Sequence, residues 1–358
     1  MPRPPRISAL RTSLVLAVIL AAGVVVSDYA AFASLCRASI ARFMKESAWP
    51  SPHPEYDSYY NANAYNLWQE LATDAPDAIY FNDSVMGAHN SHERQETLAQ
   101  LVAEATGLRV KGVSAPGLCP VLVKGYATLL ARAVHKPRLA IININPRALT
   151  AKDFFELDYY YGNLLQYLTI LAFEPGPRSY AAWCAARLHG LDFTGYLTGI
   201  TASGAFPAQE SYYAAHRKAA LEPFTGSCAQ NDPETAGLCR LFIDNYMIVI
   251  DDQCPMLLVL GDALAILQQA GITPVVYVTP VNMEEALALA GPQFQQRMRG
   301  NIARLRQGVA SRGVSLLDFS EALGPEAFVD RQWACEHLAF EGRQRVATLL
   351  AEAIAGPR

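Results

Sequence analysis

Read as a pattern of apolar and polar positions, the chain falls into three stretches. The first is an uncharged run, Thr12 to Ser27, rich in Leu, Val, Ile and Ala and preceded by Arg6 and Arg11. A membrane-crossing helix needs about 20 apolar residues, and continuing through Tyr29 to Leu35 supplies that length with aromatic residues at one end. A basic start and an apolar centre are shared by secretory signals and signal anchors. Ala31-Phe32-Ala33 also reads as a cleavage site. The uncleaved anchor is the expectation taken here, with the arginines on the cytoplasmic side. It implies one pass through the inner (cytoplasmic) membrane, with the bulk of the chain periplasmic or extracellular.

From residue 77 onward the pattern alternates. A strand over 77–81 precedes a helix over 91–106, whose Leu98, Leu101, Val102 and Ala105 recur at helical spacing, with Gly107 placed to cap it. Then follow a strand 108–113, a helix 119–135, a strand 138–143 and the turn Asn145-Pro146-Arg147. The alternation lapses over about 151–250. There, Phe154 to Phe173 reads as an amphipathic core helix or a cap beside a site or bilayer, and 174–240 as an irregular insertion rich in Gly, Pro and Ala. Order returns with a helix 255–271 and a strand 273–278 that ends in Thr279-Pro280-Val281-Asn282. A helix 293–311 carrying Arg297, Arg299, Arg304 and Arg306 outward, a strand 314–319 and a helix 342–354 complete the pattern.

Strands alternating with helices predict an α/β fold of three layers, a mostly parallel sheet with helices on both faces. The expected organisation is a cytoplasmic tip and anchor over 1–35, a linker and lead-in helix over 36–76 interrupted by Pro50, Pro52 and Pro54, and a catalytic domain over 77–356 with its insertion at 151–250. Sites in such sheets form at the carboxyl ends of strands.

Composition narrows the function. The net charge of −4 comes without a basic stripe interleaved with aromatics, so nucleic acid is not an expected partner. Of seven cysteines, Cys228 and Cys239 flank a polar turn that a disulfide would close. No Cys-x-x-Cys or His-x-x-x-His cluster is present, so neither a metal site nor a cofactor is expected. The lack of a Gly-rich phosphate loop argues against a flavodoxin-like binding domain.

The apolar run Ala78 to Phe81 stops at Asn82-Asp83-Ser84, which sets a serine at a strand tip. Helix N–H groups beyond such a tip favour negative charge, and Asn82 tolerates the left-handed geometry of a tight turn. By itself this tripeptide reads more readily as a helix cap. A serine nucleophile needs a base and donors for an oxyanion. Between the last strand and last helix, Asp330 to Gly342 brings acids and His337 onto one loop at the same sheet edge.

The order Asn82-Asp83-Ser84, Ser114-Ala115-Pro116-Gly117, Asn143-Ile144-Asn145-Pro146-Arg147 and acid–His337-Leu-x-x-x-Gly342 resembles the SGNH (GDSL-like) hydrolases over about residues 77–145 and 255–356. It looks most like their membrane-anchored branch, which includes exported partners in polysaccharide acetylation and teichoic-acid D-alanylation. The resemblance implies Ser84 as nucleophile and His337 as general base. It implies an oxyanion hole made of the Ser84 N–H, a glycine N–H (Gly117, then Gly112) and an Asn side chain (Asn145, then Asn143). Two departures stand out: Asn82 replaces the usual glycine, and Ala334 holds the place of the acid three residues before the histidine. The acid is then Asp330, reaching back from a longer loop, or Glu336.

Thr279 and Asn282 are expected to line the pocket. Arg147 binds a substrate carboxylate or phosphate, or else forms a structural ion pair. His89 and His92 read as surface residues of the first helical turn. The function implied is acyl transfer through an acyl-serine, from an acyl donor to a carbohydrate acceptor or to water, with a membrane-bound O-acyltransferase as an implied partner. The second reading, carried by the displaced acid and Asn82, is a non-catalytic accessory protein of a cell-envelope acylation system.

Overall fold

The computed structural model describes residues 7–46, 54–84, 94–114, 117–150, 162–173, 175–191, 196, 209–224, 232–329 and 337–356. In chain order its elements are α1 (Ile7–Glu46), α2 (Pro54–Thr73), β1 (Ala78–Asn82), α3 (Leu98–Thr106), β2 (Val110–Ser114), α4 (Pro120–Arg132), β3 (Leu139–Ile144) and the single turn α5 (Arg147–Thr150). They continue with α6 (Gly162–Leu171), α7 (Pro177–Leu188), α8 (Gln209–Leu221), α9 (Pro233–Tyr246), α10 (Pro255–Gln269), β4 (Thr273–Val278), α11 (Met283–Ala290), α12 (Pro292–Ala310), β5 (Leu316–Asp318) and α13 (Phe340–Ala355). The chain forms two compact units, one of residues 1–49 with 173–200, the other of 50–172 with 201–358.

The larger unit is built on a five-stranded, wholly parallel sheet of order β2-β1-β3-β4-β5. Every residue of β1 is buried, which explains its unbroken apolar run: a strand covered on both faces loses its alternation. Tyr80, Ile141 and Tyr277 face a core shared with Leu98, Leu101 and Val102 of α3 and with Val346, Ala347 and Leu350 of α13. Phe81, one residue on, turns to the opposite face and packs on Tyr126 of α4 at 5.8 Å between ring centroids. On that side a Cβ added at Gly125 of α4 would lie 3.0 Å from Leu168 of α6, so the glycine permits the close approach of the two helices. The winding reverses between β1 and β3, the switch point where ligands bind in doubly wound sheets.

Several boundaries differ from expectation. Helix α3 begins at Leu98 rather than 91, because Thr97 caps it: the Thr97 Oγ1 accepts the Gln100 N–H and the Gln100 side chain accepts the Thr97 N–H at 2.8 Å. Gly107 closes the helix at φ +70°, as expected. The stretch read as irregular over 174–240 contains α7, α8 and α9. The apolar periodicity of α7 is weak, with Trp183 its one buried residue, whereas α9 buries Ala236, Cys239, Phe242, Ile243 and Tyr246 at helical spacing. Helix α1 does not stop near residue 35 but continues to Glu46. Arg297 of α12 does not point fully outward: its guanidinium donates to the Met247 carbonyl at 2.7 Å.

In the smaller unit, Ala17–Cys36 is the one helical window among the described residues long and apolar enough to cross a membrane. Val18, Ile19, Leu20, Val24, Val25 and Val26 are each more than half exposed. Beyond them α7 covers α1: Phe32 and Cys36 are buried with Trp183 and Tyr196, and Tyr29 meets Tyr180 edge-on at 5.4 Å. Asp28, inside the apolar window, accepts the Tyr180 hydroxyl at 2.7 Å and lies 3.6 Å from Arg187. The carboxylate is thereby partnered, as charge at such a position requires.

Cys239 is disulfide-bonded, while Cys119, Cys184 and Cys254 are free thiols. Cys228, its expected partner, lies outside the described residues.

Candidate functional site

Ser84 stands two residues past the last rung of β1, half-buried. Asn82 before it is an extended strand residue paired with Ser114 of β2, so the left-handed turn expected there does not form. Between them Asp83 is 1% exposed. Its Oδ1 accepts the Ser84 N–H at 2.6 Å, the Gly117 N–H at 2.7 Å and the Ser84 hydroxyl at 3.3 Å. The turn at Gly117 has φ +58°, a left-handed conformation that suits glycine.

The Ser84 and Gly117 N–H groups are the backbone donors expected in the oxyanion hole. They do converge on one anionic oxygen, but that oxygen belongs to Asp83. Gly112, the runner-up, lies inside β2, where a Cβ would come 3.1 Å from Ala99; it serves the packing of α3 on the sheet.

The carboxyl ends of β3 and β4 carry buried polar side chains. Asn143 is 1% exposed, and neither its Oδ1 nor its Nδ2 has a hydrogen-bond partner among the described residues. Extending the register Phe81↔Ile142 by one step sets Asn82 beside Asn143 across the switch point. Asn145 is differently employed: its Oδ1 accepts the Arg147 N–H at 3.1 Å and the Tyr246 hydroxyl at 3.4 Å. Of the two candidate donors, Asn143 is therefore the one not tied into local structure. Thr279 is fully buried, and its hydroxyl also has no partner among the described residues. Asn282 caps α11, its Oδ1 accepting the Glu285 N–H at 3.3 Å. Arg147 is buried at the start of α5.

His337 is half-buried on a short antiparallel pairing. Its carbonyl accepts the Val329 N–H at 2.9 Å, the Ala339 N–H reaches the Ala327 carbonyl at 2.8 Å, and Phe328 bridges Leu338. Gly342 has a steric reason to be glycine: a Cβ there would lie 2.6 Å from the Ala327 carbonyl oxygen. Leu338 and Phe340 sink into the core shared by Tyr80 and Leu98. Fully buried Arg343 donates to the Leu338 carbonyl at 2.9 Å and to the Arg94 carbonyl at 2.8 Å, and Arg94 in turn stacks over Phe340 at 4.4 Å. The structure thus brings the His337 segment against the segment that leads into α3, at the carboxyl side of β1. Asp330 and Glu336, and likewise His89 and His92, lie outside the described residues.

A second histidine–acid pair escaped sequence reasoning. His216 Nε2 lies 3.1 Å from Asp251 Oδ2, the Tyr212 hydroxyl donates to Oδ1 at 3.0 Å, and the Tyr212 and His216 rings stack at 4.0 Å. Burial acts to raise the Asp251 pKa, but the Gln253 N–H, the Tyr212 hydroxyl and His216 outweigh it and leave it lowered. The pair joins residues remote in sequence with no motif around either, so only the fold reveals it.

Cys119, at the start of α4, does not compete as a nucleophile: burial pushes its thiol up to about 11, away from the reactive thiolate. An open groove of about 500 Å³ lined by Gly271, Thr273 and Gly313 lies at the amino ends of β4 and β5, the edge opposite Ser84. No group of three or more His, Cys, Asp or Glu among the described residues could hold a metal ion. The chain matches no protein-family model, and comparison with curated protein sequences yields no match either.

Proposed function

We propose that this protein is a membrane-anchored, SGNH-like serine acyltransferase or esterase, with Ser84 as nucleophile and His337 as general base. The observation that carries this reading is Ser84 just past β1 at the switch point of a parallel sheet of order 2-1-3-4-5, with buried Asn143, unpartnered among the described residues, on the adjacent strand β3. A buried amide without a partner is costly in a native core and calls for a functional reason.

In this mechanism the Ser84 Oγ attacks an ester carbonyl while His337 takes its proton. The carbonyl electrons move onto oxygen, where Asn143 Nδ2 donates to the oxyanion. Collapse expels the leaving alkoxide, which His337 protonates, and an acyl-serine remains. A carbohydrate hydroxyl or water then attacks, giving its proton to His337, and the second collapse frees Ser84. Asp330 or Glu336 would orient the imidazole and stabilise its charged form. The Ser84 and Gly117 N–H groups join the oxyanion hole only once Asp83 releases them. The apolar α1 supports a membrane-linked acyl donor, such as one delivered by a membrane-bound O-acyltransferase, and a cell-surface polysaccharide as acceptor. On this reading the inner membrane holds the chain, with the sheet domain on the periplasmic or extracellular side.

One observation favours the alternative of a non-catalytic accessory protein: both backbone donors are engaged by Asp83. Turnover of an aryl acetate decides between them. The proposal expects hydrolysis that disappears in Ser84→Ala, and unchanged hydrolysis in that variant removes it.

A further inference from the structure

We infer that Arg343 is a positioning residue that holds His337 in register with the nucleophile segment; the inference rests on the acyl-transfer reading above. Arg343 is fully buried, and a buried guanidinium calls for hydrogen-bond partners. Two of its N–H groups are spent on the backbone carbonyls of Leu338, directly after His337, and of Arg94, on the segment that runs from Ser84 into α3. The Phe340 ring completes the clamp, with the Arg94 guanidinium 4.4 Å and the Arg343 guanidinium 5.9 Å from its centroid.

The location is unfavourable on other grounds. Arg343 lies in the first turn of α13, where the helix dipole disfavours a cation. Neither helix electrostatics nor apolar packing explains an arginine there. Joining two carbonyls from distant parts of the chain does, because the planar fork of arginine offers several donors in fixed directions. Lysine is a point charge on a flexible stem and reproduces that geometry poorly. Since misplacing a reacting group by about 1 Å can cost on the order of 100-fold in rate, the clamp matters to a proton transfer between His337 and Ser84.

The test uses the full-length protein in detergent and measures fluorophosphonate labelling of Ser84 from about pH 5 to about pH 9, the range in which histidine titrates. Arg343→Gln is expected to lower the labelling rate about 30- to 100-fold and to move its pH midpoint, with Arg343→Lys in between. Arg297→Gln removes a comparable bond to the Met247 carbonyl away from the site and is expected to change neither. A folded Arg343→Gln with wild-type rate and midpoint overturns the inference and leaves the acyl-transfer reading standing. Should Arg343→Gln not fold, a folded Arg343→Lys with wild-type rate and midpoint overturns it equally. A wild-type protein that does not label at Ser84 overturns the acyl-transfer reading and this inference with it.

Discussion

Asp83 Oδ1 accepts the Gly117 N–H at 2.7 Å, so one buried carboxylate pins the carboxyl end of β1 to the turn after β2. The same oxygen holds the Ser84 N–H. Asp83 thereby fixes the frame of the candidate nucleophile while engaging two donors that an oxyanion would need.

Removing that carboxylate should cost stability. Asp83→Ala strands two N–H groups, with a penalty of about 1–3 kcal/mol for each buried donor left unmade. Asp83→Asn keeps an acceptor oxygen and should cost less. Denaturant unfolding checks the order, and an Asp83→Ala protein as stable as wild type would show that the pin carries no weight.

Asn143 should behave in the opposite way. Its amide has no partner among the described residues, so Asn143→Leu, which keeps the branched shape, should leave stability unchanged or raised. Ester turnover should nonetheless fall by roughly 100- to 1,000-fold, the usual loss for an oxyanion donor. If stability and turnover fell together, Asn143 would be a structural residue.

Gly342→Ala tests how the His337 segment is seated. The added Cβ would press on the Ala327 carbonyl at 2.6 Å, so strand pairing must shift, at a cost of about 1–3 kcal/mol. A crystal structure or amide exchange of residues 337–339 should report the displacement. Unaltered protection there would refute the close approach.

Asp251 gives a pH signature away from the site. Its pKa is lowered in the folded chain, so its contribution is fully present above its ordinary value of 3.8 and is lost as pH falls through the lower folded value. The stability difference between wild type and Asp251→Asn should hold steady from neutral pH to about pH 4 and shrink below it. A difference that grew on acidification would contradict this.

Much of the frame was legible because β1, β3 and β4 are covered on both faces and read as apolar runs ended by Asn82, Asn143 and Thr279. Gly107 announced the end of α3, yet the start was misplaced, because Thr97 and Gln100 form a capping box that the apolar spacing alone does not reveal. Of the helices in 174–240, α7 has few buried apolar positions, Trp183 being the one buried residue, so its apolar spacing gives little signal. In the proposed site, the order of short motifs singled out Ser84 and His337. It did not reveal the roles of Asp83 and Arg343, or the preference for Asn143 over Asn145, since each depends on which hydrogen bonds its neighbours have already used. The pairing of His216 with Asp251 had no local trace at all.

The central claim is that Ser84 is an activated nucleophile served by His337. The direct measurement is mass spectrometry of the full-length protein after exposure to a fluorophosphonate probe, with peptide mapping of the adduct. The account predicts one adduct per chain, on Ser84, and its loss in folded His337→Ala. A folded wild-type protein left unlabelled, or labelled equally with and without His337, would contradict it.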